Sequence, residues 1–258
     1  MQKKILGFFY KTVSQFNGKP IVVIFTGISR KNKNSKIGGE FIQGWVLDEK
    51  LNPIAASHAR KDQSVCGKCP QRHSLRAKDP LKRKENVGGC YVNLAHGPHS
   101  IWKAYKNGSY VELDLNNPLH IQAFKGRKLR LGAYGDFSMI DFAFTDKLMH
   151  TCAITEWTGY THQYNSDFAQ PYKKYLMASV ENEEQAKQAQ INGWRTFRVR
   201  GEGEAKAKNE FICPASAEND YKLTCADCML CNGNGSKAKS VVIFKHGSYV
   251  KKIKNFSV

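Results

Sequence analysis

The residues best able to do chemistry in this chain are cysteines, seven of which fall into two sets. The upstream set of three is Cys66, Cys69 and Cys90. The downstream set of four is Cys213, Cys225, Cys228 and Cys231. Four thiolates can close the coordination sphere of zinc or of an iron-sulfur cluster, whereas three leave one metal position open for a substrate or cofactor. The count therefore predicts two metal sites, one structural and one potentially reactive.

The downstream set has the more specific spacing. Its last three members repeat as C-x-x-C-x-x-C, and Gly233 and Gly235 follow closely enough for the backbone to wrap a metal. This spacing is typical of a 4Fe-4S cluster and is equally compatible with Zn²⁺ held by four thiolates, so both remain open. His246 is a candidate to replace one of the cysteines.

The upstream set needs one more protein ligand if it holds zinc. His73, His96 and His99 are the candidates, and any of them would complete a zinc knuckle. The eighth cysteine, Cys152, falls in an apolar run and is expected to be a small buried residue.

The bulk composition narrows the class of protein. The formal charge is +18, and both chain ends and the segment from Arg60 to Lys84 are basic. Such a field attracts DNA or RNA through phosphate contacts, although a merely solvated basic surface is the alternative. No long apolar run and no signal-peptide pattern is present, so we expect no membrane partner and a cytoplasmic location. The oligomeric state is not predicted. In a reducing compartment, C-x-x-C pairs hold metal more often than they form disulfides.

The elements that must position these residues fall into three segments. Residues 1–60 contain two β-branched runs, Ile21 to Phe25 and Phe41 to Leu47, which predict a hairpin with a long loop. Residues 61–209 begin with a polar stretch, expected to be ordered by metal, and continue as a barrel-like core. Residues 210–258 form a Cys-rich segment with a basic C-terminal strand, whose SVVIF run resembles the early IVVIF run and is a candidate to pair with it.

The core segment alternates short apolar runs with helical stretches. The predicted strands are Leu129 to Ala133, Cys152 to Thr155, Leu176 to Val180 and Thr196 to Val199. The predicted helices are Ser138 to His150, Ser166 to Tyr175 and Glu183 to Asn192. Units of this length with right-handed crossovers predict a parallel sheet, in either a partial barrel or a doubly wound arrangement.

Polar residues follow these strands at the edge where parallel sheets bind ligands. They include Tyr134, Gly135 and Asp136 after the first strand, His162 after the second and Glu181 after the third. Asp136 is equally suited to cap the next helix. Four arginines, Arg72, Arg76, Arg198 and Arg200, are candidate phosphate contacts, although an arginine at a strand end also serves structural ion pairs.

The order of these motifs resembles phage-encoded, radical-SAM-like proteins of unassigned function. The similarity covers roughly Val65 to Arg200 and comprises the Cys66-x-x-Cys69 pair, Cys90 with Tyr91, and the strand-end sequences GAYGD at 132–136, TGYTHQ at 158–163, MASVEN at 177–182 and GWRTFRV at 193–199. The resemblance implies a partial (β/α) barrel of parallel strands, similar to a TIM barrel. It also implies a 4Fe-4S cluster whose open iron binds S-adenosylmethionine.

Two functions follow as hypotheses. The first is a radical-SAM-like enzyme that modifies nucleic acid in a phage context. Its cluster would be held by Cys66, Cys69 and Cys90. Asp136, His162 and Glu181 would be catalytic, and Tyr134, Gly135, Asp136 and Glu181 would contact the cofactor. The alternative is a non-enzymatic protein with two zinc sites that binds nucleic acid during phage DNA replication or packaging.

Overall fold

A computed structural model of the chain describes residues 5–29, 41–77, 87–201, 203–235 and 237–245. Within these residues the strands are β1 Gly7–Val13, β2 Pro20–Thr26, β3 Phe41–Asp48, β4 Val111–Glu112, β5 Lys128–Tyr134, β6 Trp157–Thr161, β7 Met177–Val180, β8 Thr196–Arg200, β9 Glu210–Ile212 and β10 Ser240–Phe244. The α-helices are α1 Pro53–His58, α2 Gln63–Cys66, α3 Gly97–Lys106, α4 Pro118–Phe124, α5 Phe142–Thr151, α6 Glu183–Ile191 and α7 Cys225–Cys228. Single turns and short stretches of 3₁₀ helix lie at His73–Leu75, Phe137–Met139, Asp167–Lys174, Ala217–Asn219 and Gly233–Gly235.

The described strands form one sheet in the order β4-β1-β2-β3-β5-β6-β7-β8-β10-β9. The β1–β2 and β2–β3 pairs are antiparallel, which confirms the predicted N-terminal hairpin. The other pairs are parallel, so the predicted mixed α/β class with a mostly parallel sheet is also confirmed. The sheet does not close into a barrel, because its two edges are the short strands β4 and β9. It draws strands from all three predicted segments.

The parallel register brings the ends of three central strands together. β5, β6 and β7 are neighbours with the same direction, so their carboxyl ends lie along one edge of the sheet. Asp136 lies just beyond the first of these ends, His162 beyond the second and Glu181 beyond the third. Helices α1 and α2 follow β3, and β3 lies beside β5. The first cysteine pair therefore reaches the same part of the molecule as these strand ends.

Side-chain caps start most of the helices. Asn52 and Asn117 each precede a proline at the first helical turn, and their carboxamide oxygens accept from the backbone N–H of Ala55 and Leu119 at 2.9 Å. Asn182 caps α6 in the same way. Proline needs no hydrogen-bond acceptor there and carries a backbone angle suited to a helix, so these Asn-Pro pairs fix where each helix begins.

Two predicted elements of the core segment are wrong in detail. The run Cys152 to Thr155 is not a strand, because Cys152 caps the end of α5 and Ala153 has a left-handed φ of 49°. Its apolar side chains, Cys152 and Ile154, are buried against the core instead. The strand of this unit is β6, which starts at Trp157. The predicted helix from Ser138 to His150 is broken, since Asp141 starts a new helix by accepting from Ala143 N.

The sheet separates the main apolar core from a smaller apolar cluster. The main core includes Ala178 and Val180 of β7 together with Ala186 and Ala189 of α6. Met177, at the start of the same strand, belongs instead to a smaller cluster with Cys213, Cys231, Val241 and Ile243. Because successive side chains of a strand point to opposite faces, the Cys-rich segment covers the face opposite to α6.

The C-terminal strand joins the far end of the sheet. β10 pairs with β8 and β9, so the prediction that it pairs with the early IVVIF strand is wrong. In this position Val241 and Val242 are buried, and an apolar composition alone does not show which strand will be the partner. In the described part of the chain, no helix has both the length and the apolar character that a bilayer crossing requires.

Candidate functional site

The three upstream cysteines lie together, and we call them the cysteine trio. Cys66 ends α2, and Cys69 follows in a turn in which its N–H donates to Cys66 O at 3.1 Å. Cys90 comes from a separate segment that is joined to the first by a bond from Cys90 N to Gln71 O at 2.9 Å. Burial raises the pKa of Cys66 well above its usual value, and the nearby thiols of Cys69 and Cys90 raise it further. Burial also raises the pKa of Cys90 to about 12.

The turn between Cys66 and Cys69 is held by Gln163. The carboxamide of Gln163 donates to Cys66 O at 3.1 Å and accepts from Lys68 N at 2.9 Å. Gly67 lies between these two contacts with a φ of 54°, and a Cβ at this position would overlap the Gln163 carboxamide. Only glycine therefore permits both the left-handed backbone and the close approach of Gln163.

His162 joins the cysteine trio to the strand ends. Its ring is hydrogen-bonded to the side chain of Cys69, and its Nε2 lies 3.1 Å from Oε1 of Glu181. The other carboxylate oxygen of Glu181 accepts from Gln71 Nε2 at 2.8 Å. Burial alone would lower the pKa of His162, but Cys69 and Glu181 outweigh it and raise the pKa well above its usual value. A thiol, an imidazole and a carboxylate thus form a continuous chain of contacts.

Asp136 is engaged by its own loop and by the end of β6. One carboxylate oxygen accepts from the N–H and the hydroxyl of Ser138, at 3.1 and 2.8 Å. The other accepts from Thr161 Oγ1 and His162 N, both at 2.9 Å. Asp136 is buried, so this carboxylate caps the 3₁₀ turn and fixes the backbone of His162.

Tyr134 and Gly135, the remaining predicted cofactor contacts, also lie beside the cysteine trio. Burial raises the pKa of Tyr134 well above its usual range, and the nearby Cys66 and Cys90 add to the shift. Gly135 has a φ of 78°, and a Cβ there would meet Val46 O at 2.6 Å and Val65. Gly135 therefore serves the close packing of β5 against β3 and α2.

The four downstream cysteines form a second group, the cysteine quartet. Burial raises the pKa of Cys231, and its neighbours Cys213, Cys225 and Cys228 raise it further. Tyr160 of β6 is hydrogen-bonded to the side chain of Cys231. Its ring also packs on Phe197 of β8, with 4.6 Å between the ring centroids. The quartet therefore rests on the face of the sheet that carries these two aromatic rings.

Backbone contacts fix the loop that carries the quartet. Arg195 donates to the carbonyl oxygens of Leu230, Gly233 and Lys239, at 2.9, 2.6 and 3.0 Å, and to Asn232 Oδ1 at 3.0 Å. The bonds from Gly159 N to Cys231 O and from Lys128 Nζ to Ala226 O, at 2.9 and 2.6 Å, tie the same loop to the sheet. A capping box between Thr224 and Asp227 starts α7.

The histidines predicted to complete the upstream site have other surroundings. His73 Nε2 lies 2.8 Å from Val92 O. His96 is exposed at the start of α3. His99 is half-buried, and its Nδ1 has no hydrogen-bond partner among the described residues. His246 lies outside the described residues. The histidine that lies beside the trio is His162, which the sequence marked as a strand-end residue and as a catalytic candidate.

The four candidate phosphate-binding arginines make contacts within the protein. Arg198 is 1 % exposed and pairs with Glu210 through two bonds of 2.8 and 2.7 Å. Arg200 is bound by Glu218 and Glu204 O. Arg72 contacts Asp62 and Cys69 O, and Arg76 donates to Gly88 O and Cys90 O. The guanidinium groups of Arg198 and Arg200 therefore form structural ion pairs. Those of Arg72 and Arg76 hold the backbone around the cysteine trio.

The chemistry of the donor sets suits a thiolate-bound metal. All the cysteines are free, so no disulfide consumes the thiols of either group. Among the residues that the structure describes, no group of three or more His, Cys, Asp or Glu side chains has the arrangement needed to hold a metal ion. Metal binding at either group would therefore require the side chains to turn towards one centre.

Sequence reasoning missed Gln71, Gln163, Tyr160 and Arg195 as supports of these two groups. Gln163 and Arg195 lie within the strand-end sequences given above. The sequence does not show, however, which backbone groups a polar side chain at such a position will hydrogen-bond. Gln71 lies in the segment without apolar periodicity, where the sequence offers no positional signal.

Comparison of the chain with protein-family models, with curated proteins and with solved structures finds no match.

Proposed function

We propose that this chain is a metal-thiolate protein with two zinc centres that binds nucleic acid. The observation that carries the proposal is that the cysteines of each set lie near one another in the fold, although they are dispersed along the sequence. Cys66, Cys69 and Cys90 would hold one zinc ion, and Cys213, Cys225, Cys228 and Cys231 the other. Zinc supplies binding free energy that stabilises loops with little apolar core, as in the segments around both groups.

Nucleic acid is the partner that the charge favours. The formal charge is +18, and Arg60, Lys61 and Lys68, which flank or lie within the Cys66–Cys69 turn, are exposed. Lysine and arginine side chains on a loop held by metal present fixed positive charge to phosphates. We propose that this binding serves phage DNA replication or packaging, as the resemblance to phage-encoded proteins implies.

A radical-SAM-like enzyme is the second candidate. The observation in its favour is that the cysteine trio lies beside His162 and Glu181, just beyond the carboxyl ends of β6 and β7, where ligands bind in parallel sheets. The trio would hold a 4Fe-4S cluster, which supplies the electron for reductive cleavage of S-adenosylmethionine. Tyr134 and Glu181 would line the cofactor pocket. Asp136 is less suited to that role, because five protein groups already donate to its carboxylate.

Metal analysis of the full chain, purified without oxygen, tests the proposal and separates the two candidates. We expect two zinc ions per chain, no inorganic sulfide and no absorbance in the visible range. Iron and sulfide in stoichiometric amounts, with cleavage of S-adenosylmethionine on reduction, would establish the second candidate instead. A chain that binds neither metal after thiol reduction would refute both.

A further inference from the structure

We propose that His162 is the fourth ligand of the metal bound by the cysteine trio, with Glu181 and Gln71 as its positioning residues. This inference rests on the proposed function and goes beyond it, because it assigns a closed coordination sphere of three thiolates and one imidazole. A closed sphere leaves no position for a substrate or a cofactor, so the upstream centre would be structural, like the downstream one.

The first argument for coordination by His162 comes from the contacts of its imidazole. Nε2 of His162 lies 3.1 Å from Oε1 of Glu181, so a carboxylate accepts the proton at Nε2. With Nε2 engaged by Glu181, Nδ1 is the ring nitrogen that remains to bind a metal, and Cys69 lies beside the imidazole. Metal-binding histidines typically donate their second ring N–H to a carboxylate, which fixes the tautomer and the ring orientation. His162 already has that second contact.

The second argument comes from the hydrogen bonds that hold Glu181 in place. Glu181 Oε2 accepts from Gln71 Nε2 at 2.8 Å, and Gln71 O also accepts from Cys90 N. One residue therefore links the carboxylate behind the imidazole to the backbone of the third cysteine. The side chain of Glu181 is 9 % exposed and that of His162 21 %, so water does not compete freely for these contacts.

The third argument is that hydrogen bonds fix the backbone of His162 and the backbone of the Cys66–Cys69 turn. Asp136 accepts from His162 N, and Gln163, the next residue, clamps the Cys66–Cys69 turn from both sides. The backbones of the imidazole and of two of the thiols are thus tied together by three side-chain contacts. A divalent metal would displace the hydrogen that now joins Cys69 to the imidazole, together with the protons of the Cys66 and Cys90 thiols, all of which pass to solvent.

The test compares metal binding by the full chain and by variants of this chain of contacts. Zinc-free protein is titrated with Co²⁺, and the thiolate-to-cobalt absorbance and the metal stoichiometry are recorded. His162→Ala should weaken the upstream centre by at least about tenfold, as loss of a ligand costs no less than loss of its supporting partner. Glu181→Gln should keep the stoichiometry but weaken the same centre by about 10–100-fold.

Two further variants make the outcome specific to coordination. His162→Cys should restore the upstream centre and add intensity to the thiolate-to-cobalt band, because a fourth thiolate replaces the imidazole. His150→Ala is the matched control, since His150 is exposed on α5 and hydrogen-bonds only locally, to Asp146 O at 2.7 Å. It should leave both centres unchanged.

The results separate this inference from the proposed function. If the wild-type chain binds two metals and His162→Ala binds them with unchanged affinity and spectrum, the inference is wrong and the proposed function stands. If the wild-type chain binds cobalt at neither centre, the proposed function fails as well. An upstream iron-sulfur cluster that binds S-adenosylmethionine would also overturn the closed coordination sphere.

Discussion

Arg198 and Glu210 form an ion pair that is almost inaccessible to water. Both side chains are 1 % exposed, and the guanidinium also contacts Glu204 and Ala205 O. Removing one member of such a pair leaves an uncompensated buried charge, and the cost is about 3–5 kcal/mol. We therefore expect Arg198→Ala to lower the free energy of unfolding by about that amount, measured by urea denaturation.

A double variant and the pH dependence show whether the charge is the cause. Arg198→Met with Glu210→Met should recover most of the loss, because no charge remains buried. Burial alone would raise the pKa of Glu210, but the hydrogen bond from Arg198 outweighs it and keeps the pKa below its usual value. The contribution of the pair is therefore present above the unfolded-state pKa of Glu210 and is lost as the pH falls through the lowered value. A stability gap between wild type and Glu210→Gln that did not narrow in acid would contradict this explanation.

Gly67 offers a second test at the level of one residue. Gly67→Ala forces a Cβ into the Gln163 carboxamide and strains a left-handed backbone. Gly108→Ala is the matched control, because Gly108 also has a positive φ, of 68°, but nothing lies within 4 Å of its added Cβ. Both variants bear a conformational cost of about 1–2 kcal/mol. We expect Gly67→Ala alone to weaken the upstream metal centre, measured by competition with a chelator; equal metal affinity in the two variants would show that the Gln163 clamp is unimportant.

Among the elements, those with local signals were predictable from the sequence. The β-branched runs of the N-terminal hairpin and the Asn-capped helix α6 agree with the structure to within a few residues. The run Cys152 to Thr155 was misread because a helix end and a short strand share the same apolar composition. The left-handed Ala153 decides between them, and no glycine marks that position.

The loop of the cysteine quartet is an element held by one side chain. Arg195 supplies four hydrogen bonds to residues 230–239, and its guanidinium is half-buried beneath them. Arg195→Ala removes all four and leaves the carbonyl oxygens of Leu230 and Gly233 without this donor. We expect faster proteolysis within residues 225–239 and weaker metal binding at the downstream centre, with the upstream centre unchanged.

The control for this element is Arg130→Ala. Arg130 lies on β5, two residues from Lys128, but it donates its hydrogen bond through Nη2 to the exposed Tyr91 hydroxyl at 3.2 Å and not to the quartet loop. Its loss should change neither the proteolysis pattern nor the downstream metal affinity. If Arg195→Ala behaved like Arg130→Ala, the four hydrogen bonds would have no role in shaping the quartet.

At the scale of the whole molecule, the class of the sheet was predictable but its closure and its ends were not. Alternating runs of strand and helix indicate parallel neighbours, and the central strands β5 to β8 follow that rule in chain order. Edge strands as short as β4 and β9 carry too little pattern to be recognised. The cysteine spacing indicated which thiols lie near one another, whereas the partners supplied by distant residues, such as Gln71 and Glu181, depend on the sheet order.

The charge of the whole molecule leads to a prediction about salt. The logarithm of a nucleic-acid binding constant falls linearly with the logarithm of salt concentration, by about 0.9 for each phosphate contact on duplex DNA. We expect the chain to bind mixed-sequence duplexes with such a slope, and substitution of Arg60, Lys61 and Lys68 by Gln to reduce it by up to about 2.7. Arg198→Met with Glu210→Met should leave the slope unchanged, because that guanidinium is enclosed by protein acceptors. A slope near zero for the wild type would mean that phosphates are not the partner, and a slope reduced only in the Arg198 variant would place the contact surface on β8 instead of the Cys66–Cys69 turn.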